Sequence, residues 1–208
     1  MPVTEFALLQ LKSGFDEAKF VDILKRSQNI QAQWVRKHQP QLLEGKPYTN
    51  PSNFFIHRSD PLSIVITAPW ESPEGHGEWI ACDENKSEMG IIFEYITGPE
   101  GVLVFHLNPA GSEDDLRGDI FAKGPLNVWR ISVKHDQKEK LQEHYRNVER
   151  EVTADPGHRI WAGWKIEESE KAEELVVFWS QGVKEDVVSH LLEVQDPVVH
   201  RYELQPFL

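Results

Sequence analysis

The sequence has 208 residues, of which 39% are hydrophobic and 10% aromatic, including seven tryptophans. This content excludes a disordered chain, and the length suits one ordinary domain or two small ones. Lys and Arg number 22 against 34 Asp and Glu, giving a formal net charge of -12. Such a surface repels phosphate backbones and anionic lipids, so no nucleic-acid or membrane partner is expected.

Cys82 is the single cysteine, so no internal disulfide can form and no zinc site of the CxxC type is available. The N-terminal residues lack the basic leader and apolar stretch of a signal peptide. No apolar run reaches the ~20 residues that a membrane helix needs. A cytoplasmic protein is therefore expected.

The first half begins with a strand, a helix and a hairpin. Residues 3–12 mix Val, Phe and Leu with polar residues and predict a strand. From Asp16, apolar residues recur at three- and four-residue steps, which predicts an amphipathic helix that ends before Pro40. Residues 53–58 and 62–68 are short β runs on either side of a turn, and they predict a hairpin.

A second helix and a fourth strand follow. Ser72 is a good N-cap and Pro73 suits a first helical position, so a helix is predicted from here to about Tyr95. Residues 102–107 have β character. Residues 108–125 are rich in Gly, Asp and Pro with little periodicity, as expected of a linker.

The same order of elements returns in the second half. Strands are predicted at residues 128–133, 159–166, 175–179 and 198–204, and helices at residues 137–152 and 183–194. The chain therefore divides into a first repeat at 1–108, a linker at 109–125 and a second repeat at 126–208.

This pattern predicts an α+β fold made of two ferredoxin-like β-α-β-β-α-β repeats. Two helices should cover one face of each four-stranded antiparallel sheet and leave the other face apolar. The two sheets would then pack face to face with the helices outside, as a dimer within one chain. A further homodimer is left open.

Five segments carry a resemblance to a known family. They are Pro2-Val-Thr-Glu-Phe-Ala, Trp70-Glu-Ser-Pro-Glu-Gly-His76 followed by Trp79-Ile80 and Asn85, Phe105-His-Leu-Asn108, Gly163-Trp-Lys-Ile-Glu167 and Leu175-Val-Val-Phe178. In these segments the chain resembles the antibiotic-biosynthesis-monooxygenase-like (ABM) branch of the dimeric α+β barrel superfamily, in its single-chain tandem form. The resemblance covers nearly the whole chain and implies an intramolecular dimeric α+β barrel.

The family includes cofactor-independent oxygenases of aromatic polyketides, cyclases, haem-degrading enzymes and proteins without established activity. The resemblance thus implies secondary metabolism and a small hydrophobic or aromatic ligand. The lack of cofactor-binding motifs leads us to expect no cofactor. This chain departs from the pattern in two places. The oxygenases use an asparagine and a tryptophan near the end of the third strand, and Trp70 matches while residues 63–69 contain no asparagine. Glu185 follows Trp179 at the spacing at which His76 follows Trp70, so the two repeats are not equivalent.

His76 is the first candidate catalytic residue. It falls in the first turn of the helix opened by Ser72, where the positive helix end disfavours an imidazolium. A neutral imidazole can accept a proton, which is the setting of a general base. A surface or capping histidine is the alternative interpretation.

His106 is the second candidate, because period-two alternation points it away from its neighbours Phe105 and Leu107 and toward the helix-covered side. A histidine of the core is its alternative. Candidate substrate-binding residues are mostly aromatic side chains that could form an apolar pocket, or alternatively plain core. They are Trp34, His57, Trp70, Trp79 and Phe93, of which His57 could equally be an exposed strand end.

Two functions remain open. The first is a small-molecule enzyme without metal or cofactor, in which a histidine removes a proton from an aromatic or polyketide-like substrate, as a cyclase, isomerase or monooxygenase does. The second is a non-catalytic small-molecule-binding or scaffold protein with a degenerate site. Haem handling is a third possibility and would need an axial histidine. No motif for a phosphate loop, a hydrolase elbow or a zinc site appears.

Overall fold

The computed structural model of the protein describes residues 2–44, 51–111, 120–122, 124–169 and 172–208. Contacts between Cα atoms divide the chain into two units. The first comprises Met1–His106 and Pro206–Leu208, and the second comprises Leu107–Gln205.

The first unit is a four-stranded sheet with helices on one face. Its elements are β1 (Val3–Gln10), α1 (Glu17–His38), β2 (Asn53–His57), β3 (Ser63–Trp70), α2 (Pro73–Ala81), α3 (Asp83–Ile92) and β4 (Val102–Pro109). The strand order is β4-β1-β3-β2. β1 and β2 both run antiparallel to β3, and the register pairs Val3 with Trp70 and Gln10 with Ser63.

Helix α1 forms where the sequence predicts it. Asp16 accepts a hydrogen bond from the Lys19 backbone N–H at 3.1 Å and so satisfies one of the unpaired donors of the first turn. Phe20 and Leu24, four residues apart on one face, are completely buried against the sheet. Burial of that face supplies most of the stability of the helix.

The helix predicted for residues 73–95 is wrong in one respect, because it is broken at Cys82. This residue has an extended backbone, and its Sγ accepts a hydrogen bond from the Asn85 N–H at 3.4 Å. Asp83 and Glu84 then occupy the first turn of α3, where negative charge is favourable. The predicted helix is thereby divided into two shorter helices, α2 and α3.

The second unit repeats the arrangement. Its elements are β5 (Leu126–Val133), α4 (Lys138–Thr153), β6 (Ile160–Lys165), β7 (Glu173–Ser180), α5 (Glu185–Ser189) and β8 (Val198–Pro206). The strand order is β8-β5-β7-β6, the same order relative to the chain as in the first unit. The helix predicted for residues 183–194 is shorter, because a 3-10 turn at His190–Leu192 follows α5. Much of the predicted linker lies outside the described residues.

Two units with one element order and one strand order confirm the predicted duplication. In the first unit β1 is buried along seven of its eight residues, so both faces of this strand are covered. Phe6 stacks on Phe105 on one face, with ring centroids 5.0 Å apart, whereas Glu5 projects from the opposite face toward the helices. None of the helices in the described ranges is long and apolar enough to cross a membrane.

Candidate active site

The sheet register brings Trp70 close to a buried carboxylate. Trp70 ends β3 and pairs with Val3, so the next residue on the same face of β1 is Glu5. The Trp70 Nε1–H donates a hydrogen bond to Glu5 Oε2 at 2.8 Å. Trp70 is completely buried and Glu5 is only 7% exposed. The indole therefore supplies a directed donor to a carboxylate that is almost removed from water.

The start of α2 positions His76 beside this pair. Ser72 caps the helix through a hydrogen bond from the Gly75 N–H at 3.2 Å, and Pro73 takes the first helical position, as the sequence predicts. His76 is the fourth residue of α2, and its ring stacks on the Trp70 ring at a centroid distance of 4.6 Å. Its side chain is fixed by this stacking and by burial, since the residue is 3% exposed.

A chain of three titratable groups results. His76 Nε2 lies 3.4 Å from Glu5 Oε2, and His76 Nδ1 lies 2.8 Å from His106 Nε2. Alternation along β4 directs His106 to the helix-covered side, as predicted. Glu5, His76 and His106, here called the Glu-His-His chain, come from β1, α2 and β4.

The Glu-His-His chain has two protonation forms that fit these contacts. When Glu5 is ionised, the Nε2–H of His76 lies beside the carboxylate, and His76 Nδ1 can accept the Nε2–H of His106. When Glu5 is protonated, its carboxyl group lies beside His76 Nε2 as an unprotonated nitrogen, and the Nδ1–H of His76 can donate to His106 Nε2. The second form holds one more proton than the first, and uptake of that proton neutralises Glu5 while His76 stays uncharged.

Burial dominates the acid–base properties of the chain. Burial raises the pKa of Glu5 to about 7, although the Trp70 hydrogen bond acts in the opposite direction. Burial, together with the neighbouring His106, lowers the pKa of His76 to about 3. The histidine is thus neutral, as the sequence predicts, but desolvation is the main cause. Glu5 is the member of this pair that titrates near neutral pH.

Glu5 and His76 line a cavity of about 410 Å³ in the first unit. The cavity lies between one face of the sheet and the three helices, and most of its wall is apolar, as in small-molecule sites. The lining residues are Glu5, Ala7, Leu9, Ser27, Gln31, Phe54, Ile66, His76, Trp79, Ile80, Asn85, Lys86, Met89, Gly90, Ile92, Phe93, Val102 and Val104.

Exposed apolar side chains are concentrated at this cavity. Ile80, Phe93 and Val104 are 49%, 48% and 42% exposed, and all three belong to its lining. Lys86 is the lysine of the lining and is exposed as well. Apolar side chains left in water beside a cavity are typical of the entrance to a site for an apolar ligand.

The structure places the predicted site residues in three groups. His76, Trp79 and Phe93 line the cavity. His106 contacts His76 but is not part of the cavity lining. Trp34 and Trp70 form a second layer, with the Trp34 ring 6.2 Å from the Trp70 ring and 5.7 Å from the Trp79 ring. His57 lies at the end of β2, half-buried, and is not part of the cavity lining.

Sequence reasoning missed Glu5 as well as the polar residues of α1 that line the cavity. Glu5 falls in a segment of mixed polar and apolar residues, where a carboxylate is normally directed to solvent. Ala7 and Leu9 share its face of β1 and also line the cavity. The small and apolar character of these two positions was the available sign that this face is covered.

The described residues of the second unit form no equivalent of the Glu-His-His chain. Trp179 corresponds to Trp70 in β7, and the register places Trp129 where Glu5 stands in β1. The Trp129 ring packs at right angles against Trp179, with centroids 5.1 Å apart. The Trp179 Nε1–H has no hydrogen-bond partner among the described residues. Glu185, which corresponds to His76, has a side chain that is 64% exposed.

A different cavity, of about 810 Å³, exists in the second unit. Its wall is mostly polar, and paired charges occupy it, including Arg130 bonded to Glu174 at 2.6 Å and Lys138 bonded to Glu173 at 2.9 Å. It is formed at the opposite end of the sheet from Trp179, so it does not correspond to the cavity of the first unit.

Comparison with known proteins supports the fold. No family model and no curated protein matches the sequence. A candidate monooxygenase from Fusobacterium nucleatum subsp. nucleatum is 10% identical, with 100% of this chain and 93% of that chain covered and a TM-score of 0.66. An anthrone oxidase-like protein is 11% identical, with 99% and 91% covered and a TM-score of 0.58.

A mutant chlorite dismutase from Candidatus Nitrospira defluvii is 8% identical, with 99% and 91% of the two chains covered and a TM-score of 0.54. Identities this low carry information about the fold alone. All three matches extend over nearly the whole chain, which confirms the α+β class and the pairing of two ferredoxin-like repeats. The chain has the dimeric α+β barrel fold in its single-chain tandem form, as the ABM-like resemblance implies.

Proposed function

We propose that the first unit is a small-molecule enzyme that removes a proton from a neutral, largely apolar substrate with the Glu5–His76 pair. The observation that carries this proposal is a buried carboxylate, bonded to a tryptophan and in contact with a histidine, in the wall of an apolar cavity. Burying an ionisable group lowers the stability of a protein. A buried carboxylate in a cavity wall therefore points to a functional role.

The reaction would begin with Glu5 ionised. Its carboxylate takes a proton from a C–H or O–H bond of the substrate, and the electron pair of that bond remains on the substrate as an enolate or phenolate. A pKa of about 7 suits this role, since general bases work best when their pKa lies near the working pH. His76, in contact at 3.4 Å, would hold the carboxylate in place and share the proton.

This assignment refines the expectation that His76 is the base. A histidine whose pKa is lowered to about 3 is a weak base on its own. Its position between Glu5 and His106 instead suits transfer of the proton along the chain. The chemistry resides in side chains, so the proposal requires no cofactor. Fold neighbours named as a monooxygenase and as anthrone oxidase-like are in keeping with an aromatic, polyketide-like substrate.

Deuterium exchange into an enolisable ketone tests the proposal. 1-Tetralone, a neutral bicyclic ketone, is incubated with the protein in D2O, and exchange at the carbon beside its carbonyl is followed by NMR. We expect the wild type to accelerate exchange over buffer, and E5Q to lose at least about 100-fold of that acceleration, the usual share of a general base. H76N should lose a smaller part of the acceleration, because His76 holds the carboxylate and shares its proton. E78Q, which alters an exposed glutamate of α2, is the matched control.

A wild-type rate equal to the buffer rate would contradict the proposal. If the ketone binds in the cavity but does not exchange faster, the protein is instead the non-catalytic small-molecule-binding protein that the sequence left open.

A further inference from the structure

Two polar side chains in the cavity wall have no hydrogen-bond partner among the residues that the structure describes. Ser27 and Gln31 are 9% and 7% exposed and both line the cavity. Neither side chain forms a hydrogen bond with any residue of the described ranges. Their polar atoms are not among the fully buried, unpaired atoms of the described residues, so they remain accessible from the cavity and can form hydrogen bonds with a ligand.

The neighbouring polar residues of α1 are satisfied in the usual ways. The Gln28 side chain donates to the Ser52 carbonyl at 2.8 Å, and Gln33 is exposed to water. The unpartnered groups are thus confined to the part of the helix that lines the cavity.

The helix places these two groups near the Glu-His-His chain. Ser27 and Gln31 are four residues apart and so lie on one face of α1, one turn from each other. Trp34, one turn beyond Gln31, has its ring 6.2 Å from that of Trp70, which is bonded to Glu5. Gln31 therefore lies one helical turn from a tryptophan that contacts Trp70, the hydrogen-bond donor to Glu5.

We propose that Ser27 and Gln31 form a polar subsite that binds an oxygen atom of the substrate and so determines its orientation toward Glu5. This inference rests on the proposed function. It specifies the substrate class as an uncharged compound with a carbonyl or hydroxyl oxygen on an otherwise apolar skeleton. An amide and a hydroxyl can each donate a hydrogen bond to a carbonyl, and neither carries a charge that would favour an ionic ligand.

Cavity size limits the skeleton. An engineered protein cavity of about 150 Å³ holds one benzene molecule. The cavity of about 410 Å³ in this protein therefore suits a compound of two to three fused rings. In such a compound an oxygen bound at Ser27 and Gln31 would leave the ring face in contact with apolar residues such as Trp79 and Met89.

The test compares a ketone with the hydrocarbon of the same shape. Dissociation constants of 1-tetralone and tetralin are measured by NMR chemical-shift titration for the wild type, Q31L, S27A and Q33L. We expect the wild type to prefer the ketone, and Q31L to lose about tenfold of that preference while binding tetralin at least as well. S27A should lose a smaller part of the preference for the ketone. Q33L makes the same chemical change on the exposed side of α1 and should behave as the wild type.

Equal binding of the two compounds by the wild type, or an unchanged preference in both Q31L and S27A, would overturn the inference. Failure to bind either compound would overturn it too. These binding results can be told apart from a failure of the proposed function. In that case the ketone would bind but its deuterium exchange would not be accelerated.

Discussion

The buried carboxylate makes a quantitative prediction about stability. Gln at position 5 keeps the shape of Glu5 and an oxygen that can accept the Trp70 N–H, but it cannot ionise. Burial raises the pKa of Glu5 from 4.5 to about 7. Each pKa unit between the folded and unfolded states corresponds to about 1.4 kcal/mol, so ionising Glu5 in the folded protein costs about 3 kcal/mol.

The sign of the effect follows from the direction of the pKa change. Below pH 4.5 Glu5 is protonated in both states, and its contribution to stability is fully present. As the pH rises through the unfolded pKa and then through about 7, the unfolded state releases its proton first and that contribution is lost. The wild type should therefore lose about 3 kcal/mol of unfolding free energy relative to E5Q between about pH 4.5 and pH 8.

Urea unfolding of the wild type and E5Q at pH 5, 6, 7 and 8.5 measures this difference. All other titrating groups are shared, so their effects cancel in the comparison at each pH. The exposed-site variant E78Q is the control and should follow the wild type. Parallel pH profiles for the wild type and E5Q would refute the argument, because they would mean that Glu5 ionises as easily in the folded protein as in the unfolded one.

W70F removes the donor to Glu5, so it should raise the pKa of Glu5 further and destabilise the protein by about 1–2 kcal/mol more at pH 8.5 than at pH 5 in urea unfolding. The matched variant W179F removes an indole N–H that has no hydrogen-bond partner in the described structure, so it should lose the same unfolding free energy at pH 5 and pH 8.5. If W70F also lost the same unfolding free energy at both pH values, the prediction would be contradicted. Nitrogen-15 NMR at pH 9 should show His76 protonated on Nε2, and a His76 that carries its proton on Nδ1 would contradict the form in which its Nδ1 accepts from His106.

Much of the fold could be predicted because its cues are local. The N-cap Asp16, the three- and four-residue spacing of α1 and the Ser72-Pro73 start of α2 each act within a few residues. The break at Cys82 could not be predicted in the same way. No glycine or proline marks it, and the Cys82 thiol that caps α3 is not one of the side chains usually found at an N-cap.

The candidate site was predictable only in part, since its members are distant in sequence. Alternation along β4 indicates the side to which His106 points. It does not indicate that His76, thirty residues earlier, lies 2.8 Å away. Glu5 was even harder to predict, because its role depends on a strand register that pairs residues near the start of the sequence with Trp70. Charge alone favours a solvent-exposed position there.

The tryptophan at position 129 has a consequence for stoichiometry. A symmetric dimer of identical subunits must build the same pocket twice, so any change that fills one fills both. In a fused chain each copy accumulates substitutions independently, and here Trp129 takes up the space that Glu5 leaves open in the other repeat. A ligand of the proposed class should therefore bind with one equivalent per polypeptide, at the cavity of the first repeat.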